Sequence, residues 1–236
     1  MKIQLFDDDT GAVEYISHMG NDLSVVNAAR VSFGVEKEEA DEKDIKLINY
    51  LMAHNHTSPF EHCTITMRFV VPLFIRSQHH RHRTWAYNEI SRRYTSVDLS
   101  FYEPQNFRTQ HKSNRQASNQ ELINPDISNS YNQVRPSSPY YASTAITDHH
   151  NRSLELYNKL IKKGVCREQA RGILPQNLYT QYYGTVSLHN LLKFVSLRSH
   201  DGAQWEIQQV AKACLKIAEK HFPCSVEAYK KYKGNS

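Results

Sequence analysis

The sequence predicts an α+β fold, and three observations carry that prediction. Apolar and polar residues alternate in short stretches near the start of the chain, apolar residues recur at helical spacing in long stretches near its end, and 236 residues with 39% hydrophobic content can bury a sizeable core. Length favours one domain, at most two, so we read residues 1–236 as a single domain.

Ile3 and Leu5 alternate with polar neighbours, and VEYISHM from Val13 is rich in strand formers, so the chain opens with two short strands. Asp22 reads as the N-cap of a short helix with Val25, Val26 and Ala29 on one face, leading to ARVSF. Between Asp44 and His54, Ile45, Ile48 and Met52 are spaced by three and four and are joined by Leu47 and Leu51, which predicts an amphipathic helix. HTSPFEH then reads as a turn, because Pro59 lacks a backbone donor and disfavours the helical region for Ser58. Ile65, Met67, Phe69 and Val71 fall on one face of a strand, opposite Thr64, Thr66 and Arg68. Pro72 fits the first position of a helix running through LFIRSQHHRHR, on which Gln78 shares a face with Arg81 and His82.

From Tyr102 to about Ala145 the chain is rich in Asn, Ser, Gln and Pro with no sustained apolar period, a long irregular insertion that reads as a mobile surface segment or a lid. Order resumes with a helix from about Asn151, with Leu154, Tyr157, Leu160 and Ile161 facing one way and Gly164 as its C-terminal stop. REQARGILP gives a short helix closed before Pro175, and LYTQYYGTV a strand. Ser187 caps the next helix, with Leu188, Leu191, Leu192 and Val195 on its apolar face and Arg198 in its last turn. A final long helix carries Ile207, Val210, Ala211, Cys214, Leu215 and Ala218 on one stripe.

Composition excludes several classes. Against 24 acidic residues, 29 Lys and Arg give a net charge of +5, a mild excess that permits an anionic ligand without demanding one. Cys63, Cys166, Cys214 and Cys224 are scattered, with no C-x-x-C pair, so neither a disulfide framework nor a zinc ribbon is expected and a reducing, cytoplasmic or otherwise intracellular setting is. No apolar run approaches the roughly 18 residues of a membrane span, and MKIQLFDDDTG does not read as a secretory signal.

The chemistry concentrates in QHHRHRTWAYNEISRRY, Gln78 to Tyr94, with four arginines and three histidines in seventeen residues. Arginine's planar fork donates paired hydrogen bonds and stays charged at any relevant pH, so Arg81, Arg83, Arg92 and Arg93 propose an anionic ligand, and Asn88, Glu89 and Ser91 add groups able to read a ring edge. A small nucleotide fits that mixture. A solvated basic face without a ligand fits the charge density too, and Trp85, Tyr87 and Tyr94 permit single-stranded nucleic acid through stacking. Nucleic-acid grooves spread their cations along a broader track, however, and charge elsewhere in the chain is nearly balanced, so no nucleic-acid partner is expected. His54, His56, His62, His79, His80 and His82 do not show H-E-x-x-H spacing, so no metal is expected. Cys63 adjoins His62 on a strand, where successive side chains point to opposite faces, and Cys214 lies on an apolar stripe. The cysteines therefore read as structural, and Ser91 lacks a nucleophile-elbow context.

RHRTWAYNEIS, Arg81 to Ser91, resembles the signature of the flavin-dependent thymidylate synthases, R-H-R followed by seven residues and a serine. Agreement continues in NDLSVVNAARVSF, HTSPFEH, REQARGILP with NLYT, and LRSHDGAQWEIQ, covering most of the chain apart from 102–145. The resemblance implies a mixed or antiparallel sheet flanked by helices, assembled as a homotetramer with active sites where subunits meet. It also implies reductive methylation of dUMP to dTMP, with methylenetetrahydrofolate as one-carbon donor and FAD reduced by NADPH as hydride carrier. Carried over by position, Gln78, Arg81, Glu89, Ser91, Arg92, Arg93, Arg171 and Arg198 contact dUMP, with Ser91 and Arg93 near its phosphate, and Arg198 activates the ring by stabilising negative charge on it. The flavin positions are Ser32, Ser58, Glu61, Arg81, His82, Arg83, Asn88 and Glu89, with His56 close to the reacting face. The late helix departs from the family: Ser187, His189 and Lys193 stand where many members carry Asn, Arg and Asn, and Gly202 where several carry His, yet His189 and Lys193 keep donors for FAD. A nucleic-acid-binding module built on the same arginines and aromatics is the alternative, and it would lack flavin colour and bind with steep salt dependence.

Overall fold

Both ends of the chain contribute to one antiparallel sheet. The computed structural model describes residues 1–97, 99–115, 117–128 and 138–234. Among them the fold is α+β, a sheet of strand order β1-β2-β3-β7-β4 flanked by helices. The chain divides into two compact units, the first Met1–Val70, Ser77–Glu89 and Gln181–Ser236, the second Val71–Arg76 and Ile90–Thr180.

In the first unit β1 (Lys2–Gln4) pairs with β2 (Ala12–Met19) through Ile3 and Val13, and β2 pairs with β3 (Thr64–Pro72) through Val13 and Phe69. Period-two alternation does what it predicts here: Ile65, Met67, Phe69 and Val71 are fully buried while Thr64, Thr66, Arg68 and Val70 are half-exposed. The strand β7 (Tyr179–Ser187), late in the chain, lies between β3 and β4 (Ala86–Glu89), and Tyr87 pairs with Gly184.

The helix α1 (Asp22–Arg30) is capped by Asn21, not by Asp22. Asn21 is extended and its side chain accepts from the Ser24 amide at 3.0 Å, while Ser24 Oγ accepts from the Asn21 amide at 3.1 Å, a reciprocal capping box. Asp22 caps a different helix: its carboxylate accepts from the amides of Cys224 at 2.8 Å and Ser225 at 3.0 Å, the first turn of α8 (Pro223–Tyr232), a helix not read in the sequence. The helix α2 (Glu42–Ala53) begins behind Asp41 and buries Asp44, Ile48 and Leu51, while Ile45, expected on that face, is exposed. Asp44 is tolerated inside because Arg30 at 2.6 Å and Lys37 at 2.5 Å neutralise it. HTSPFEH is a 3₁₀ turn over Ser58–His62.

The helix α3 (Leu73–His79) starts after Pro72 and stops at His79 instead of running through Arg83. The carbonyls of His79 and His82 both accept from the Tyr87 hydroxyl, at 2.9 and 3.1 Å, so a side chain from the next strand satisfies the helix end. Gln78, Arg81 and His82 are accordingly not on one helical face. The helix α6 (Leu188–Arg198), capped by Ser187 as expected, packs on α7 (Trp205–His221), which packs on β2 and α8. Leu188, Leu191, Leu192 and Val195 are all buried.

In the second unit, α4 (Ala142–Lys162) starts nine residues before Asn151, because buried His150 and Thr147 both bind Glu103, at 2.6 and 2.9 Å, and anchor the extra turns. Gly164, at φ +91°, ends it as read. Tyr157 packs with Ala170, the last residue of α5 (Arg167–Ala170), and with Leu174 and Leu178. Within the stretch read as irregular, β5 (Phe107–Gln110) and β6 (Ser118–Ile123) form a two-stranded hairpin, and residues 129–137 of that stretch lie outside the described residues. Mostly exposed polar strands give no apolar alternation to read.

Gly184 has no room for a side chain. A Cβ there would stand 2.9 Å from a Phe69 ring carbon and 3.1 Å from Trp85. Gly184→Ala should therefore lower unfolding free energy by about 1–3 kcal/mol, read as a lower denaturant midpoint at unchanged slope. An unshifted midpoint would contradict the packing described.

Candidate active site

The turn after α3 is built around a buried imidazole. His79 is fully buried against Phe69, Trp85, Tyr182 and Phe194, and its Nδ1 is 2.8 Å from the Tyr182 hydroxyl. Burial, reinforced by His82, His80 and Arg198, holds its pKa well below the ordinary imidazole value, so it stays neutral. Burial raises the pKa of Tyr87, which keeps its hydroxyl a donor to the turn.

This turn carries His82 to the last turn of α6, where Arg198 Nε donates to His82 Nε2 at 3.0 Å. The His82 ring stands edge-on to Phe194 at 4.8 Å, one helical turn before Arg198. Burial first, then the charges of Arg198 and Lys193, push His82 down to about 4. At neutral pH its Nε2 is therefore a bare acceptor and its proton sits on Nδ1. Arg198 makes no other hydrogen bond or ion pair to the described residues, and burial lowers its pKa without discharging a guanidinium. The result is a half-buried cation, oriented by a neutral group, with its remaining donors available to a ligand.

Elsewhere in the first unit, His56, His189 and Lys193 share a cleft with Leu51, Phe60 and Leu192, about 490 Å³ of space open to solvent. An apolar wall beside an ammonium and two imidazoles suits a flat ring joined to phosphate. Ser58 and Glu61 are exposed on the 3₁₀ turn that supplies Phe60, and Ser32 is exposed on a second one, Val31–Phe33. Ser187 Oγ is occupied, as a cap accepting from the Asn190 amide at 3.4 Å and also from Asn190 Nδ2 at 3.0 Å. Arg81, Arg83 and Asn88 are exposed, and Glu89 is half-buried at the end of β4. Gln78 donates to Gln204 Oε1, and Gln204 donates to Glu206 at 2.9 Å, a relay that no sequence pattern signals.

Ser91, Arg92, Arg93 and Arg171 belong to the second unit. Arg92 donates to the carbonyls of Val97 and, at 3.1 Å, Tyr179, Arg93 lies 3.5 Å from Glu168, and Arg171 is exposed. The thiols of Cys63, Cys214 and Cys224 are poor nucleophiles. Burial, helped by Asp22, pushes Cys63 up to about 11, and burial also raises Cys214 and Cys224. Among the described residues no helix is long and apolar enough to cross a membrane.

A family model described as Thymidylate synthase complementing protein matches residues 14–224. A flavin-dependent thymidylate synthase from Thermotoga neapolitana is 41% identical over 232 residues, covering 98% of this chain and 95% of the relative. One from Thermus thermophilus is 40% identical over 224 residues, covering 95% and 77%. Among solved structures, a UMP/dUMP methylase, PolB, from Streptomyces cacaoi bound with 5-Br dUMP superposes with a TM-score of 0.78 at 32% identity, covering 98% of each chain. Its complex with 5-Br UMP gives 0.77 at 31%.

Unfolded histidine takes its proton near 6.5, but His82 takes it near 4 in the fold. The depressed pKa contributes stability that is present above pH 6.5 and is lost as pH falls from 6.5 towards 4. Imidazole NMR should show His82 titrating near 4, and Arg198→Ala should move that midpoint upward by removing the neighbouring cation. A midpoint at the ordinary value in the unaltered chain would refute the burial described.

Proposed function

This chain belongs to the flavin-dependent thymidylate synthase family, and on that premise we propose that it converts dUMP to dTMP by reductive methylation, with methylenetetrahydrofolate as one-carbon donor and FAD reduced by NADPH as hydride carrier. The observation that carries the reading is Arg198, a cation held by a neutral acceptor with donors to spare. In such a methylation the uracil C5 exchanges a proton for a methyl group, made of the folate's methylene and a hydride, so negative charge develops on the ring. Arg198 would stabilise that charge at a ring oxygen or N3, which makes C5 nucleophilic without a thiol adduct. The raised thiols of Cys63, Cys214 and Cys224 agree with a mechanism that uses none.

The chemistry of the cleft fits a dinucleotide. His56, His189 and Lys193 would hold FAD there, with Ser32, Ser58, Glu61, Arg81, His82, Arg83, Asn88, Glu89 and Ser187 as further contacts. When bound, the flavin supplies the hydride. Gln78, Arg81, Glu89, Ser91, Arg92, Arg93, Arg171 and Arg198 would bind dUMP, Ser91 and Arg93 at its phosphate. Residues 1–236 would act as one domain, since the family match runs through both units. We further propose a homotetramer with active sites at subunit interfaces. In its support, Ser32 is flanked by Val31 and Phe33, 73% and 83% exposed, apolar surface of the kind a second copy covers.

The purified protein should be yellow, should elute at the mass of four chains, and should release tritium from C5-tritiated dUMP only with FAD, NADPH and methylenetetrahydrofolate present. A colourless protein that releases none would refute the assignment. Arg198→Lys keeps the charge and loses the fork. It should lower turnover by about 10²–10³-fold at unchanged flavin content, and unchanged turnover would remove Arg198 from its role.

A further inference from the structure

Tyr87 occupies one of the seven positions that the R-H-R-to-serine signature leaves open. We propose that Tyr87 is a positioning residue of the reaction: its hydroxyl closes the His79–His82 turn and so holds His82 Nε2 as the acceptor that orients the Arg198 guanidinium. The inference rests on the role proposed above for Arg198.

The ring of Tyr87 cannot wander. It stacks on His80 at 4.0 Å, runs parallel to Trp85 at 6.1 Å, meets His79 edge-on at 5.3 Å, and stands opposite Gly184 on the neighbouring strand. From that fixed ring one hydroxyl hydrogen is shared between the carbonyls of His79 and His82, at 2.9 and 3.1 Å. The His79 carbonyl also accepts from the His82 amide at 2.9 Å, so both ends of the turn are tied. With its backbone fixed and its ring against Phe194, His82 has its Nε2 directed at Arg198 Nε. The positive groups that face His82 are Arg198 and Lys193, both on α6, and the nearby imidazole is that of His79, 6.4 Å away between ring centres. Against that surrounding, a His82 that swung out would take up a proton more readily. Arg198 would then lose its acceptor and be free to rotate.

The decisive variant is Tyr87→Phe in the flavin-loaded full-length protein, since it keeps every ring contact and deletes only the hydroxyl. Turnover should fall by about tenfold, the order of one lost hydrogen bond, while flavin content and KM for dUMP change less than about twofold. The kcat–pH profile should gain an acid limb between about 4 and 6.5 as His82 moves towards the ordinary imidazole value. That limb should be absent in Tyr87→Phe/His82→Gln, whose amide cannot titrate. Wild-type turnover and pH profile in Tyr87→Phe, with turnover lost in Arg198→Lys, would overturn the inference and leave the proposed reaction standing. Wild-type turnover in Arg198→Lys would instead sink the reaction's use of Arg198. Loss of flavin and turnover together, with no new limb, would make Tyr87 a folding residue only. Should Tyr87→Phe fail to fold, nitrogen NMR of the imidazoles in the unaltered protein decides: a proton on His82 Nε2 at neutral pH overturns the proposal, and a bare Nε2 sustains it.

Discussion

A guanidinium is held in place by a neutral imidazole, and that choice of partner shapes the site. A carboxylate beside Arg198 would have oriented it equally well and cancelled its charge. His82 orients it through one 3.0 Å hydrogen bond and leaves the positive potential intact. Burial keeps His82 unprotonated, and the cation it binds helps to keep it so. The pair is therefore self-consistent over the neutral pH range, where a methylation that develops negative charge on a pyrimidine would draw on it.

The rest of the first unit supports this contact. The turn that carries His82 is anchored by a buried His79, roofed by Trp85, just before β4, and by Tyr87 from β4, and backed by Tyr182 from β7. These aromatics approach closely because Gly184 leaves β7 bare where Trp85 crosses it. Arg198 comes from the far end of α6, whose buried leucines fix the helix while Ser187 fixes its start. Lys193 and His189 stand on the same helix and face the cleft. One rigid helix thus serves both the proposed pyrimidine cation and the proposed dinucleotide contacts.

Two carboxylates, Asp44 buried and Asp22 half-buried, depend on partners in the scaffold in the same way. Asp44 enters the core with two cations as partners, and Asp22 ties the first helix to the last by capping α8. Neither was readable as such, because a carboxylate in a helix's first turn looks the same in sequence whether it serves its own helix or another one.

By itself the sequence determined the elements whose pattern is local. Period-two alternation located β3, helical spacing located α2, α6 and α7, Gly164 marked the end of α4, and the R-H-R segment singled out the residues around which the candidate site is built. Tertiary structure alone decided where α3 stops, which helix Asp22 caps, that 107–110 and 118–123 pair, and that Tyr87, His82 and Arg198 form one chain of contacts. The physical reason is common to all of these. Each depends on a partner brought near by folding, here a tyrosine hydroxyl, a helix N-terminus, a facing strand and an imidazole 116 residues from its arginine, and no local periodicity encodes such a partner.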